Sequence, residues 1–587
     1  MYNVFDFRNN LIKDYSSFSR SFTRIAAVDI LSEVNSQYDN GRYWPEPLIQ
    51  INPNYQRKGT VQQLAQEGVL HKECADIFQV EKLSHIPQPL HLYSHQLEAI
   101  AKAKAKQSFI VTTGTGSGKS LSFFIPIIDQ ILKAKDLDKT PRTRAIIIYP
   151  MNALANSQLE ELNKFLYGYQ PEQQPFTVAR YTGQENNIER ESIAKNPPDI
   201  LLTNFMMLEL ILTRFEETDR HVVANCQGLD FLVLDELHTY RGRQGADVAM
   251  LVRRLRERLQ AKNLICIGTS ATMSSTGTVE DQKNTVAGVA SKLFATTITA
   301  NDVIGETLER VTDTNRNVDA IRLELAHSVN RKDFYWPSFT AFQHDPLAIW
   351  VELTLGVELP KEGRPRRAKP KTVSEAASQL AKDAACSEQQ AKEVLQCFLV
   401  AAHEVKTPQG RPPFAFKLHQ FISGAGKVLT TLEAVGKRYI TLDAQRFAPN
   451  RQEEGVLLYT AHFCRECGQE YHPVWIDKTG FSPRDIAEIS ADDQDTNYGF
   501  LCPVNKQQLY GGIEDLPEEW LDFSKAEPKV KPAYKKSVPD HVWVNAQGQQ
   551  GQGESYWLIQ GKFRFCLHCG QQYEAHGKDV NRLSSLS

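Results

Sequence analysis

The stretch SFIVTTGTGSGKS, residues 108–120, joins a short apolar run to a glycine-rich loop that ends in Gly-Lys-Ser. The β-branched run is typical of a buried strand, and a loop that leaves a strand and opens a helix is the context in which phosphate groups are bound. Glycine at every second position lets backbone N–H groups turn toward phosphate oxygens. The stretch therefore predicts a nucleotide site made of Thr113, Gly114, Thr115, Gly116, Ser117, Gly118, Lys119 and Ser120.

Two side chains of this loop have specific expected roles. Lys119 can reach the β and γ phosphates, and the Ser120 hydroxyl can bind Mg²⁺. The strict form of the motif has glycine at position 113, where this chain has threonine. A glycine-rich turn beside a chance Gly-Lys-Ser is the alternative, and the apolar run before the loop disfavours it.

Working outward from the loop, residues 91–300 alternate short β-branched runs with longer segments of helical period. This alternation predicts βαβ units around a buried parallel sheet, an α/β fold of the RecA-like type. The expected strands are 108–112, 145–149, 177–181, 200–203, 231–234 and 264–268.

A second motif, FLVLDELH at 231–238, places two carboxylates at the end of an apolar run. Open α/β sheets bind ligands at the carboxyl ends of their strands, so these carboxylates are expected beside the phosphate loop. Asp235 would hold Mg²⁺ directly or through water, and Glu236 would orient and deprotonate the attacking water. His238 would sense the γ phosphate. A solvated acidic strand end is the alternative for the tetrapeptide alone, and the phosphate loop disfavours it.

The remaining sequence suggests three further regions beside the RecA-like domain at 91–300. Residues 1–90 form an accessory segment that carries no chemical motif, and 301–405 form a linker and helical region. Helices are expected at 373–385 and 388–404, the second with Ser387 as its N-cap. Residues 406–587 turn to strand-like alternation and are expected to be an α+β region. The basic run KEGRPRRAKPK at 361–371, with Arg364, Arg366, Arg367 and Lys369, is expected to be a solvated linker or loop rather than a phosphate contact.

Composition gives few functional restrictions. The net charge is −3 and the pI is near 6.6, so any nucleic-acid binding must use local patches. No window of 18 consecutive apolar residues occurs, and the first residues lack the apolar stretch of a signal peptide. A cytoplasmic protein without a membrane segment is expected.

Four of the ten cysteines form two similar units, CRECG at 464–468 and CLHCG at 566–570. A structural Zn²⁺ held by Cys464, Cys467, Cys566 and Cys569 competes with two other interpretations, a pair of redox CxxC motifs and four buried free thiols. Zinc is favoured because both units share the CxxCG form and no thioredoxin-like pattern surrounds them. His472 and His568 are possible substitute ligands. The other cysteines, namely Cys74, Cys226, Cys266, Cys386, Cys397 and Cys502, are expected to be core or incidental residues.

Further motifs give the chain a family resemblance. LYSHQLEAI at 92–100, containing Gln96, precedes the loop, and it is followed in order by YPMNALANSQ (149–158), YTGQ (181–184), LLTNFMMLE (201–209) and the triplet Ser270, Ala271, Thr272. With the phosphate loop and DELH, this series resembles the superfamily 2 DEAD/DEAH-box helicases. That superfamily commonly accepts a small residue other than glycine at the position of Thr113. The combination disfavours a P-loop ATPase of another class.

The resemblance implies roles for these motifs. Gln96 would read adenine with Tyr93 as a stacking partner, although a surface glutamine is the alternative for that residue alone. The loops after the strands would hold one nucleic-acid backbone through N–H groups and short hydroxyls. Ser270 and Thr272 would couple the nucleotide site to the nucleic-acid site.

A narrower resemblance comes from GVLLYTAHFCRECGQEYHPVW at 455–475, together with WPEPLIQINPNY (44–55) and FAFKLHQFISGAG (414–426). These stretches are similar to large bacterial DEAD/DEAH-box helicases with a four-cysteine module, a group that includes repair and phage-defence proteins. In that group the module is inserted between two RecA-like domains.

The second RecA-like domain is not recognisable in the sequence, since its hallmark would resemble QxxGRxxR and the nearest string is QGRPP at 409–413. We therefore expect either a truncated product or a second half on a separate chain. The sequence predicts the ATP-binding half of a nucleic-acid helicase or translocase that uses ATP, Mg²⁺ and Zn²⁺ and acts on DNA rather than RNA. The alternative is a non-motor nucleic-acid-binding or scaffold subunit that retains a nucleotide site.

Overall fold

The computed structural model describes residues 3–80, 82, 88–114, 116–271, 278–360, 365–408, 410, 412–424, 426–488, 497–505, 510–524, 527–574 and 577–586. None of the helices in these ranges is long and apolar enough to cross a membrane.

A seven-stranded parallel sheet forms the centre of the nucleotide domain. Its strands run in the spatial order β7-β1-β6-β5-β2-β4-β3. The strands in chain order are β1 Phe109–Thr112, β2 Ala145–Tyr149, β3 Val178–Tyr181, β4 Ile200–Asn204, β5 Phe231–Leu234, β6 Ile265–Ser270 and β7 Val303–Gly305.

The sheet is buried on both faces, as its continuous apolar runs require. In β2, Ile146 and Ile148 enter one hydrophobic core, while Ala145, Ile147 and Tyr149 enter the core on the opposite face. The covering helices are Ser94–Lys104, Leu121–Leu137, Asn152–Phe165, Asn187–Lys195, Phe205–Thr213, Glu217–Asn225, Gly242–Arg258 and Val279–Phe294. The predicted α/β fold is confirmed; two of the six expected strands match the observed bounds and the other four differ by one or two residues at their ends.

The edge strand β7 was not predicted. It has only three residues and lies past residue 300, and it pairs in parallel with β1. A run this short gives no periodic signal, because it is recognisable only through the neighbour that it pairs with.

The N-terminal segment shares a core with the region after the parallel sheet. The strand Leu48–Asn52 pairs antiparallel with Ala415–His419 on one side and with Lys371–Thr372 on the other. Ile49 and Ile51 of that strand are fully buried against the surrounding helices. We call this unit the accessory module; its helices are Val4–Ser21, Val318–Ser328, Phe339–Gln343, Pro346–Val351, Val373–Ala384 and Glu388–Glu404.

Details of the accessory module differ from expectation. The N-terminal segment forms two helices, Val4–Ser21 and Val28–Asp39. The basic run was expected to be a solvated linker, but Arg366–Arg367 pairs with Val357–Glu358. Ala368 is only 4% exposed. Residues 361–364, including Arg364, lie outside the described residues. The predicted N-cap is present, since the Gln390 N–H donates to the Ser387 hydroxyl at 3.2 Å.

Short strand pairs connect the accessory module to the nucleotide domain. Asn54–Tyr55 pairs antiparallel with Leu308–Glu309, just after β7, and Arg57–Thr60 pairs with His91–Tyr93. These pairings bring the N-terminal segment to the carboxyl edge of the parallel sheet.

The C-terminal region is built on a nine-stranded antiparallel sheet. The main path runs β9-β8-β10-β11-β13-β15-β14, with β12 beside β11 and β16 beside β10. The strands are β8 Val428–Thr430, β9 Ile440–Thr441, β10 Tyr459–Cys464, β11 Glu470–Ile476, β12 Phe481–Pro483, β13 Tyr498–Pro503, β14 Asp540–Val544, β15 Glu554–Gln560 and β16 Leu583–Ser584. We call this unit the cysteine module.

Candidate nucleotide and metal sites

The phosphate loop leaves β1 and runs into the helix Leu121–Leu137, as its sequence predicted. Backbone hydrogen bonds continue across the junction, because the N–H groups of Leu121 and Ser122 donate to the carbonyls of Gly118 and Lys119. The hydroxyls of Thr113 and Ser117 share a hydrogen bond of 2.6 Å inside the loop. The loop is thus fixed at the N-terminus of a helix, where free N–H groups favour an anion. Thr115 lies outside the described residues.

The three loop glycines are required for different reasons. Gly116 and Gly118 have φ values of +81° and +66°, a left-handed conformation that side chains disfavour. A Cβ on Gly114 would instead lie 2.6 Å from the Arg367 Nη2 atom. A side chain at the first glycine would therefore have to displace the Arg367 guanidinium.

The two carboxylates of DELH lie at the end of β5, beside the loop. Lys119 Nζ and Glu236 Oε1 are 3.5 Å apart, and His238 Nδ1 lies 3.2 Å from Glu236 Oε2. Glu236 has a φ of +52°, a conformation that costs about 1 kcal/mol or more in a residue other than glycine. The strand end therefore turns sharply and directs this carboxylate at the loop lysine.

Asp235 is the more buried of the two carboxylates. Burial raises the pKa of Asp235 above its ordinary value, and the Thr269 hydroxyl, which donates to Asp235 Oδ1, opposes that shift. The Glu236 N–H in turn donates to Thr269 Oγ1 at 3.1 Å. Thr269 thus orients both acidic residues, a role that its position just before the Ser-Ala-Thr triplet did not reveal.

The side chains around the loop fit a nucleotide bound together with Mg²⁺. A buried carboxylate beside a lysine and a helix N-terminus is the arrangement in which Asp235 and the Ser120 hydroxyl could hold Mg²⁺. The ion would supply charge neutralisation between phosphate oxygens.

Gln96 lies against the loop. Its amide Nε2 donates to the Gly118 carbonyl at 3.0 Å, and its Oε1 accepts the Tyr93 N–H at 2.9 Å. Gln96 is 1% exposed, so the alternative of a surface glutamine is excluded. Next to it, the buried His95 ring contacts the Ser117 carbonyl at 3.0 Å. The reading of adenine by Gln96, with Tyr93 stacking on the base, remains a prediction.

The triplet after β6 reaches the same site. Ser270 Oγ lies 3.4 Å from His238 Nδ1, which connects the triplet to DELH. Thr272 lies outside the described residues.

The strand-end loops expected to hold nucleic acid meet at one residue. Asn204, at the end of β4, donates from Nδ2 to Asn152 Oδ1 at 2.7 Å and to the Thr182 carbonyl at 3.0 Å. Its Oδ1 accepts the Met207 N–H and caps the helix Phe205–Thr213. Asn204 therefore joins the three motifs YPMNALANSQ, YTGQ and LLTNFMMLE, and a cavity of about 320 Å³ lies beside it. Sequence reasoning missed this connecting role.

The nucleotide site and the loops that Asn204 connects lie in a stretch that matches a known protein family. Residues 93–280 match the family described as DEAD/DEAH box helicase. This stretch of the chain forms a DEAD/DEAH-box helicase domain.

Curated relatives match part of the chain. The Uncharacterized ATP-dependent helicase YprA of Bacillus subtilis is 31% identical over 186 residues, which cover 31% of this chain and 23% of YprA. The ATP-dependent helicase HRQ1 of Saccharomyces cerevisiae is 34% identical over 165 residues, covering 28% of this chain and 14% of HRQ1. The matches thus span about a quarter or less of these relatives.

Among solved structures, the DUF1998 helicase MrfA bound to DNA matches with a TM-score of 0.32 and 21% identity. The match covers 51% of this chain and 39% of MrfA.

Away from the helicase domain, the four predicted cysteines converge. Cys464 and Cys569 sulfurs are 3.9 Å apart, those of Cys467 and Cys566 are 3.6 Å apart, and all four lie within 4.8 Å of one another. Four thiolates about 2.3 Å from a tetrahedral Zn²⁺ would lie about 3.8 Å from one another. The cluster therefore has the dimensions of a zinc site.

The two CxxCG units have the same backbone geometry. In each, the glycine N–H donates to the carbonyl of the first cysteine at 2.9 Å, and Gly468 and Gly570 have φ values of +80° and +71°. Hydrogen bonds from the Cys467 and Cys566 thiols lower the pKa of Cys464. Such matched turns are typical of a structural four-thiolate site.

The alternative histidine ligands are not part of the cluster. His472 is fully buried, with Nδ1 3.3 Å from the Thr460 carbonyl, and the described metal-ligand group contains cysteines alone. Of the remaining cysteines, Cys74, Cys226, Cys266 and Cys502 are buried, Cys386 is half-buried and Cys397 is exposed.

Proposed function

We propose that this chain carries the ATP-binding half of an ATP-dependent helicase or translocase that acts on nucleic acid, DNA in preference to RNA. A second RecA-like domain, supplied by another chain or segment, would complete the ATP site. The observation that carries the proposal is the convergence of Lys119, Glu236 and His238 at the strand end that also holds Asp235.

The proposed chemistry begins with exchange of the Lys119–Glu236 ion pair. When ATP enters, Lys119 would move to the β and γ phosphates, which frees Glu236 to orient and deprotonate a water for attack on the γ phosphorus. Ser120 and Asp235 would hold Mg²⁺. Because the two side chains are only 3.5 Å apart, a small displacement exchanges their partners.

Coupling to nucleic acid would pass through His238. This residue lies between Glu236 and Ser270, so a change at the γ phosphate can reach the end of β6. The edge formed by Asn152, Thr182 and Asn204 would hold the sugar-phosphate backbone through polar groups that do not distinguish bases.

A second RecA-like domain would supply an arginine that reaches the γ phosphate from outside this sheet and accelerates phosphoryl transfer. In the part of the chain that the structure describes, only one sheet is parallel. Lack of such an arginine lowers hydrolysis by about 10³–10⁵-fold in related phosphoryl-transfer enzymes. The chain alone is therefore expected to bind ATP and to hydrolyse it very slowly.

The deciding experiment measures ATP hydrolysis with and without single-stranded DNA, for the chain alone and mixed with a candidate second-domain protein. Stimulation in the mixture, lost in Glu236→Gln, is expected. Replacement of DNA by RNA of the same sequence tests the substrate class. Robust unwinding by the chain alone would contradict the split arrangement. Binding of nucleic acid without stimulated hydrolysis in any mixture, with biological activity retained in Lys119→Ala, would favour the non-motor scaffold instead.

For the cysteine module we propose a structural Zn²⁺. Four thiolates complete the coordination shell, so no position remains for a reacting group. We also propose that the chain has four regions, 1–90, 91–300, 301–405 and 406–587. The first and third regions share the core of the accessory module, and β7 extends the second region to residue 305.

A further inference from the structure

A half-buried arginine from the accessory module, Arg367, lies against the phosphate loop. The Arg367 Nη2 atom donates to Glu306 Oε2 at 3.2 Å and to the Tyr55 hydroxyl at 2.8 Å. Nη1 donates to Asn52 Oδ1. The guanidinium is therefore held by the strand Leu48–Asn52 and its continuation, and it reaches the carboxyl edge of the parallel sheet.

Glu306 is in direct contact with the loop. The Gly114 N–H donates to the same Oε2 atom at 3.1 Å. Glu306 comes immediately after β7, which pairs with β1, so its carboxylate lies beside the point where β1 becomes the loop. A loop amide thus donates to a carboxylate, in a region whose expected ligand is a triphosphate.

An unpaired carboxylate at this position would oppose nucleotide binding. Its charge would repel the phosphates, and partial burial weakens screening by solvent and salt. Arg367 cancels that charge, because its side chain and that of Glu306 are only 17% and 20% exposed and form an ion pair. The pair supplies an acceptor for the Gly114 N–H with little net charge.

The same arginine limits the space around the loop. A Cβ on Gly114 would lie 2.6 Å from Arg367 Nη2 and 3.2 Å from the Tyr55 hydroxyl. Tyr55 also contacts Tyr93 and His95, with ring centroids 5.4 and 5.8 Å apart. The accessory module therefore contacts the loop at its start and also the residues that flank Gln96.

We propose that Arg367 is a positioning residue of the nucleotide site, which neutralises Glu306 and holds that carboxylate on the Gly114 N–H. ATP affinity thereby depends on the accessory segment that carries Asn52 and Tyr55. This inference rests on the proposed ATP-binding function. Arg367 acts through Glu306 and need not touch the nucleotide.

The test compares binding of ATP, ADP and adenosine to the full 587-residue chain by titration calorimetry. Arg367→Ala leaves Glu306 unpaired, so ATP affinity should fall about tenfold, ADP affinity less and adenosine affinity least. Glu306→Gln keeps the acceptor for Gly114 but removes the charge, so ATP affinity should be unchanged or severalfold higher. The double variant should match Glu306→Gln. Arg366→Ala is the matched control, since Arg366 is the exposed neighbour and its removal costs the same charge.

The opposite signs separate this role from a merely structural one. A merely structural role predicts that both single variants weaken the binding of all three ligands equally and that the double variant binds them most weakly. Either result, or an Arg366→Ala variant that behaves like Arg367→Ala, would overturn the inference. Circular dichroism checks folding. If Arg367→Ala does not fold, Glu306→Gln and Arg367→Lys decide, with weakened ATP binding by Glu306→Gln contradicting the inference. A wild-type chain that binds no ATP would instead refute the proposed function.

Discussion

The nucleotide domain and the cysteine module place their chemical groups in contrasting ways. In the helicase domain, parallel strands end at one edge, so residues such as Lys119 and Glu236, 117 residues apart, meet at the carboxyl ends of the strands. In the cysteine module, two copies of the same turn face each other and close a four-sulfur cluster, in which the neighbouring Cys467 and Cys566 are 99 residues apart in the chain. The first arrangement leaves positions for a substrate, and the second leaves none.

The difference predicts how each region depends on its ligand. The sheet of the helicase domain lies between two hydrophobic cores, so it is expected to fold without ATP. The CxxCG turns pack on a hydrophobic cluster through Cys464, Cys566 and Leu567, but their four sulfurs converge on one point that a metal ion would occupy. We therefore expect loss of zinc to affect stability and loss of ATP contacts to affect binding.

The largest expected effect is on the cysteine module. Cys467→Ser removes one thiolate, and zinc sites of this kind contribute about 10 kcal/mol to small zinc modules. Even half of that contribution would lower the melting temperature of a module of this size by roughly 10–20 °C. Calorimetric melting and metal content by mass spectrometry measure the effect.

Cys397→Ser is the control for this variant, since Cys397 is exposed and lies outside the cluster. It should keep one zinc per chain and the wild-type melting temperature. A wild-type protein purified without zinc and as stable as one loaded with it would contradict the structural role.

A smaller effect is expected in the helicase domain. Lys119→Ala removes a charge-assisted contact worth about 3 kcal/mol, so ATP affinity should fall about 100-fold. The melting temperature should change little, because a partly exposed ion pair such as Lys119–Glu236 contributes about 1 kcal/mol at most to the free energy of unfolding. Fluorescent-nucleotide titration and a melting curve measure the two quantities.

Lys139→Ala serves as the matched control for charge loss, since Lys139 is exposed and distant from the loop in sequence. If Lys119→Ala lowered stability as much as Cys467→Ser while leaving ATP affinity unchanged, the contrast between the two regions would fail.

The parts that sequence could predict are those whose signal is local. The phosphate loop, DELH and the CxxCG units each hold their residue types at fixed spacing, and six strands of the parallel sheet are short, mainly apolar or β-branched runs. These features depend on neighbouring residues, so one stretch of sequence is enough to recognise them.

The parts that sequence did not predict depend on contacts between distant segments. Glu306 binds the Gly114 N–H from 192 residues away, and Arg367 lies in a basic run that resembles a solvated linker. Its burial follows from pairing with Val357–Glu358, which no local pattern indicates. Asn204 was likewise part of a recognised motif, but its bridging of two other loops is a tertiary property.

The two glycines of the cysteine module provide a finer test. Gly468→Ala and Gly570→Ala both put a side chain in the left-handed region, at a cost of about 1 kcal/mol. At Gly468 the new Cβ would also lie 2.9 Å from the Arg24 backbone, whereas at Gly570 nothing lies within 4 Å. Gly468→Ala should therefore destabilise the protein by about 2 kcal/mol more than Gly570→Ala, as overpacking typically does.

Urea unfolding measures that difference, and limited proteolysis near residues 22–27 detects undocking of the N-terminal segment. Faster cleavage is expected in Gly468→Ala alone. Equal destabilisation and equal cleavage would show that the N-terminal segment does not depend on the first CxxCG turn.

The smallest expected effect is the loss of stability caused by the buried Asp235 carboxylate. Burial raises the pKa of Asp235, so the folded protein binds that proton more tightly than the unfolded chain does. Stability therefore falls as pH rises from the ordinary value of 3.8 through the folded value. Asp235→Asn removes this penalty and keeps an acceptor for Thr269, so it should raise the free energy of unfolding by about 1 kcal/mol at pH 7.5 without Mg²⁺.

The pH dependence of that gain tests its cause. Urea unfolding of Asp235→Asn and wild type should show a smaller advantage at pH 5 than at pH 7.5, because the wild-type carboxyl is closer to protonation there. Both proteins contain the same cysteine module, so its own acid sensitivity cancels in the difference. Asp247→Asn, at an exposed position, should give no such gain. An advantage that is equal at both pH values would mean that packing, rather than the buried charge, limits the stability of the site.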